Sequence, residues 1–146
     1  MPIISGSAST IREVRITKGP FDNTAGNGAF PGTITVATVT GAVYIHRIIP
    51  RITQTLTSGG ANTVALGTAT VTTGMIGATT GTSLAANEFW ATTGGGDVGY
   101  VNVSDTITSA IISENIIITL GTANLTAGTI VFDIVWEPVT VGASLV

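Results

Sequence analysis

The sequence predicts an all-β domain, a two-sheet β-sandwich of jelly-roll or Greek-key type built from about eight to ten short strands. Three observations carry that expectation. Apolar and polar side chains alternate with period two over most of the chain, as they do when successive residues face opposite sides of a sheet. Turn-forming Gly, Asn, Asp, Ser and Pro interrupt the alternation at spacings of roughly 8–12 residues. Val, Ile and 27 Thr fill the runs between, and branched side chains fit a pleated surface. No stretch holds the helical period needed to cover a parallel sheet, and no fixed repeat marks a solenoid.

The elements follow in order. Ile11 to Thr17 reads as a polar first strand carrying Arg12, Glu13 and Arg15. Phe21 to Gly32 is a loop, because Asp22, Asn23, Gly26, Asn27, Gly28 and Pro31 supply turn chemistry. Thr33 to Thr40 is a strand whose register slips at Ala37, as at a bulge, and Gly41 ends it. Ala42 to Ile49 and Ile52 to Thr57 read as two strands divided by Pro50, with Tyr44, His46 and Ile48 on one face. Ser58-Gly59-Gly60 turns the chain into short strands at Asn62 to Leu66 and Thr68 to Thr73. Gly74 to Gly81 reads as a loop, and Ser83 to Trp90 fits either a short helix or a strand ending at Phe89-Trp90. Gly94 to Asp97 reads as a turn. Val98 to Val103, Thr106 to Ile112 and Asn115 to Leu120 are strands, and Gly121 to Gly128 is a turn region. Thr129 to Trp136 is the clearest strand. Ile130, Phe132, Ile134 and Trp136 take one face, Val131, Asp133 and Val135 the other, and Pro138 closes it.

The 146 residues suit one domain, with residues 1–20 as an N-terminal arm or edge strand and residues 21–146 as the sandwich. The chain is 44% hydrophobic but only 9% charged, where a soluble domain carries roughly 25% charged residues. Disorder is excluded, because it needs low hydrophobicity. A disulfide scaffold and a Cys-ligated zinc site are excluded by the absence of Cys. A pI near 4.7 argues against nucleic acid as a partner. The 36 residues from Ile52 to Asn87 carry no charge, but Thr, Ser, Gly, Gln and Asn interrupt the run of ~20 apolar residues that a membrane span requires. Met1 to Thr10 lacks the basic start of a secretory leader. Thirteen charged side chains must serve a monomer surface of roughly 7,000 Å², so much of that surface is expected to be covered by other subunits.

The few charges are segregated. All five basic residues, Arg12, Arg15, Lys18, Arg47 and Arg51, lie in the first 51 positions, and six of the eight acids follow. The first part sums to +3 and the second to −6. One reading is pairing within the sheets. The other is a basic N-terminal region facing an acidic neighbour, which would set orientation between subunits. Asp133 sits in an apolar strand; on a core face it would need a partner such as Arg47 or Arg51, and on the other face it is an ordinary edge charge.

No reaction chemistry emerges, and the chain is not expected to be an enzyme. His46 is the single histidine, so no relay with a second one can be built. No His or carboxylate cluster has metal-ligand spacing, and no phosphate or dinucleotide loop is present, so neither metal nor cofactor is expected. Asp22 to Gly28 looks superficially like a calcium loop but lacks its ligand spacing and closing Glu. Paired carboxylates for glycoside hydrolysis would come from Glu88, Glu114, Asp133 and Glu137. Trp90 and Trp136 are candidate anchors, of a core, an interface or a sugar site.

Gly41 to Ile49, the Thr/Gly/Ala-rich stretch Thr53 to Thr82, and Thr126 to Pro138 together resemble small virion proteins of tailed bacteriophages, and most nearly the capsid decoration or cement proteins. The resemblance is one of pattern over about three quarters of the chain and includes no diagnostic motif. It implies a β-rich structural protein that stabilises a shell, with the major capsid protein as partner, a homotrimeric state, and a place on the capsid surface after assembly in the host cytoplasm. The candidate interface residues are Arg12, Arg15, Lys18, Arg47, Arg51, Trp90 and Trp136. The alternative is a receptor- or carbohydrate-binding sandwich of a fibre or tail.

Overall fold

The computed structural model describes residues 10–91, 94–98 and 107–146. It is an all-β sandwich. Its strands are β1 (Arg12–Lys18), β2 (Gly32–Ala37), β3 (Val39–Thr40), β4 (Val43–Ser58), β5 (Thr63–Gly67), β6 (Ile76–Thr80), β7 (Glu88–Ala91), β8 (Gly94–Val98), β9 (Ile107–Ile112), β10 (Ile116–Gly121), β11 (Leu125–Pro138) and β12 (Ser144–Leu145). The larger sheet has six strands in the order β1-β11-β4-β7-β8, with β9 also on β4. The second has the order β2-β10-β5-β6, and β3 and β12 form a small third ladder. All pairings are antiparallel.

Alternation fills the core. Ile130, Phe132, Ile134 and Trp136 of β11 lie beside Ile45, Ile48, Ile52 and Leu56 of β4. The opposing sheet contributes Ile34, Val36, Val64, Leu66, Ile76, Ile116, Ile118 and Leu120. Each such side chain is worth roughly 1.5–3 kcal/mol on full burial. Trp90 of β7 closes one side of the sandwich, donating its Nε1–H to Thr79 Oγ1 of β6 at 3.0 Å. Asn62, 1% exposed, ties turns together by donating to the carbonyls of Ala123 and Gly121.

Several expectations are corrected by the structure. There are twelve strands among the described residues, two of them only two residues long. Pro50 does not divide β4, which runs 16 residues through it. Ile52 accepts from the Asn87 N–H, so Pro50, two residues earlier, aims its backbone at the same β7 edge. There it falls between the pairings Ile48↔Ile107 and Arg51↔Phe89, where a missing donor costs least. Tyr44, His46 and Ile48 do not share a face. The β4–β11 register shifts between Val135 and Trp136, and His46 and Arg47 both point outward, which turns Ile48 into the core.

Thr68 to Thr73 is a turn, with Val71 O accepting from the Thr68 and Gly74 N–H groups. The expected loop at Gly74 to Gly81 instead contains β6, which pairs with β5 and turns Ile76 and Thr79 into the interior. Gly94 to Asp97 is β8, which needs only backbone groups to pair with β7. Ser83 to Trp90 resolves into a 3-10 turn at Gly81–Ser83 followed by β7. β11 begins at Leu125, inside the expected turn region, and Gly128 lies within it at φ +119°. A Cβ there would approach Leu56 Cα to 2.8 Å, so only Gly lets β11 cross β4 that closely. The expected slip at Ala37 is present, since Ile116 pairs with Ala37 and Ile117 with Thr35. Residues 99–103 of the expected strand Val98 to Val103, and residues 1–9 of the expected arm, lie outside the described residues. Arg12–Lys18 of that arm is β1, an edge strand in unbroken register with β11.

Phe132 is wholly buried at the centre of β11. Phe132→Ala is expected to cost about 3–5 kcal/mol, read as a lower denaturant midpoint at unchanged m-value.

Candidate assembly surface

The outward face of the larger sheet is set by the same register that fills the core. Four rows cross it: Thr17, Val131, Arg51 and Phe89; Arg15, Asp133 and Ile49; Glu13, Val135 and Arg47; Glu137, Tyr44 and Ile111. Val131 is 7% exposed although it stands outside the core cluster, and Ile49, Val135, Tyr44 and Phe89 are half-buried. The face is therefore mixed, with six charged side chains set among apolar ones.

Topology brings the two acids of β11 among the early bases. β11 lies between β1 and β4, so late acids meet early bases on one sheet. Arg15 Nε donates to Asp133 Oδ1 at 2.5 Å. That bond, and the charge behind it, raise the Arg15 pKa further above its ordinary value. Asp133 is thus on the outer face and paired with Arg15, rather than with Arg47 or Arg51. Glu137 Oε2 lies 3.6 Å from His46 Nε2, and the Tyr44 ring meets His46 edge-on with centroids 4.5 Å apart. Arg47 and Arg51 stand on β4 flanking Ile49, with no ion pair among the described residues.

The other candidate residues are placed differently. Arg12 and Lys18 are on the inner side of β1, opposite Trp136 and Ile130. The Arg12 guanidinium covers the Trp136 ring at 5.1 Å from its centroid. Trp136 is 3% and Trp90 1% exposed, so both are core residues and neither offers a ring face to a sugar. Asp22 accepts from the Thr24 hydroxyl and N–H, which closes a turn and holds its carboxyl below the ordinary range.

Two features escaped the sequence. The first is an apolar end of the larger sheet. Ile111 is 67% exposed in the last row, and Ile11 precedes Arg12 at the same level. Val139, half exposed, and Val141, fully exposed, lie in the adjoining loop, which is anchored by the Val139 N–H on Ala42 O. The signal was present as two valines in the Pro138–Gly142 turn, where polar residues are usual. The second is an open groove of about 390 Å³ between residues 67–75 and 110–114, lined by Val71, Met75, Ile111 and Ile112. Glu114 clamps it by accepting from the Thr70 hydroxyl and, at 2.9 Å, from the Thr70 N–H. Those bonds, with a further one from Thr68, hold the Glu114 carboxyl below the ordinary range. No group of three metal-ligating side chains occurs among the described residues.

No family model matches this chain, and no curated protein matches it. Among solved structures it is similar to a chain in the acidic stable capsid structure of Helicobacter pylori bacteriophage KHP30, at 9% identity and a TM-score of 0.43, over 94% of this chain and 98% of that one.

The Glu114 carboxyl is expected to titrate below the ordinary value of about 4.3, as followed by side-chain NMR, and Thr70→Val is expected to move it back up. Because the folded pKa is lowered, the clamp contributes fully above the ordinary value and is lost as pH falls through the lowered one. The stability difference between the native chain and Glu114→Gln is therefore expected to be present at pH 7 and to shrink on acidification.

Proposed function

We propose that this chain is a structural protein of a tailed-phage virion, one that decorates the capsid and stabilises it through contacts with the major capsid protein and with copies of itself. The observation that carries the reading is the apolar end of the larger sheet, where Ile11, Ile111, Val139 and Val141 are exposed together beside a half-apolar outer face. Exposed apolar patches of this kind mark interaction sites. The pattern resemblance of Gly41 to Ile49 and Thr126 to Pro138 to decoration proteins supplies the kind of assembly. The action is thermodynamic. A subunit that binds only neighbouring capsomers in the closed shell lowers the free energy of that shell by mass action. No reaction is assigned, and the burial of Trp90 and Trp136 removes the support that surface aromatics would give to a carbohydrate-binding module. The homotrimer implied by the resemblance belongs to the same proposal, and a native mass of three copies, or of six where trimers are joined in pairs, supports it.

The test uses virions purified from the host that carries the encoding genome. Antibody against the chain is expected to label the heads of intact particles, and a chain absent from purified particles overturns the reading. Val141→Glu and Ile111→Glu are at exposed sites and are expected to change stability by no more than about 0.5 kcal/mol. Added back to particles lacking the chain, both variants are expected to lose attachment and the heat resistance that the native chain restores.

A further inference from the structure

We propose that β1 pairs antiparallel with β1 of a second copy about a two-fold axis at Val14, joining two larger sheets edge to edge. An open strand edge presents unpaired N–H and C=O groups and is a ready template for another strand, so folded proteins usually interrupt such edges. The other edges described here are interrupted. β2 is bulged at Ala37. β6 has a register shift opposite Leu66. β9 has Ser109 at φ +62°, and the β7–β8 ladder shifts after Glu88. β1 alone among them is long and regular, with seven consecutive pairs to β11 and no shift.

Its charges select a partner and a register. Centred on Val14, the pairing sets Glu13 against Arg15 of the partner subunit, and by symmetry Arg15 against Glu13 of the partner subunit. It also lays Arg12 along Ile16 of the partner subunit. Opposite charges directly across a ladder are favourable and like charges are not. Moving the axis one step on, to Arg15, sets that arginine against its own copy and Arg12 against the partner's Lys18. Moving it one step back sets Glu13 against Glu13 of the partner subunit. A centre at Ile16 avoids both clashes but makes no opposite-charge pair. Glu13 is exposed and the Arg15 side chain is 64% exposed, so both can reach the partner while Arg15 keeps Asp133. The register centred on Val14 sets Ile11 against Thr17 of the partner subunit but leaves Ile111, Val139, Val141 and the β4 face outside the contact, so Ile111→Glu and Val141→Glu are expected to leave the pairing intact.

The chain contains no cysteine, so single-cysteine variants report the register directly. Val14→Cys is expected to form a disulfide-linked dimer under mild oxidation, because residues directly opposite in such a ladder have Cα atoms about 4.5–5.5 Å apart. Arg15→Cys is expected to stay unlinked, its copies being displaced diagonally. Glu13→Lys, a surface change whose folding is checked by circular dichroism, is expected to weaken the native dimer about tenfold through loss of two opposite-charge pairs. Linkage at Arg15→Cys without Val14→Cys overturns the proposal. So does a native mass of one or three copies with neither variant linked, or an unchanged dissociation constant for Glu13→Lys.

Discussion

The structure depends on the ladder between β4 and β11. These are the two longest strands, 16 and 14 residues, and they lie side by side in the larger sheet. A one-residue change of register in such a pair exchanges the core face for the outer face. The pair contains several shifts, and the one at His46 and Arg47 decides what the molecule shows to its surroundings. Before it, Val43 and Ile45 are buried, and after it Ile48 and Ile52 are. Without that shift Arg47 would be directed into the core, where a lone guanidinium has no tolerable place. The same two strands therefore supply ten buried core side chains and carry Arg47, Arg51, Asp133 and Glu137 on the reverse.

Much of the fold was legible in the sequence, because period-two alternation is a local signal. β11 was read almost to the residue at its end, and the bulge at Ala37 showed as a slip in the pattern. What failed was composition used as a proxy for conformation. Gly74 to Gly81 and Gly94 to Asp97 have too few side chains to alternate, yet strands at or near a sheet edge require little beyond backbone groups, and β6 and β8 form there. Pro50 was misread for the opposite reason. Its missing donor matters only if a neighbour would accept it, and strand order decides that. The surface was less legible than the core. The segregated charges were visible, but only the position of β11 between β1 and β4 shows that Arg15 meets Asp133.

Sparse charge takes on a definite arrangement in three dimensions. The larger sheet gathers all five basic side chains and spends part of them on its own acids and on the Trp136 ring. Arg47 and Arg51 are left flanking Ile49 on the outer face. A surface of this sort gains little from any single ion pair exposed to water. It gains more when a partner excludes solvent and the apolar side chains between the charges are buried at the same time.

The pairing of early with late strands also bears on how the chain comes to be folded. β1 pairs with β11 and β2 with β10, so strands made early wait for strands made much later. Loop closure over such separations must precede the contacts that reward it, and topologies of this type fold slowly. Until β11 emerges, β1 has no strand to pair with and β4 is open along the edge that β11 later fills. That is an interval in which Thr- and Val-rich strands, almost free of charge in the middle of the chain, are open to one another. Its length is set by the rate of synthesis, not by the stability of the finished sandwich.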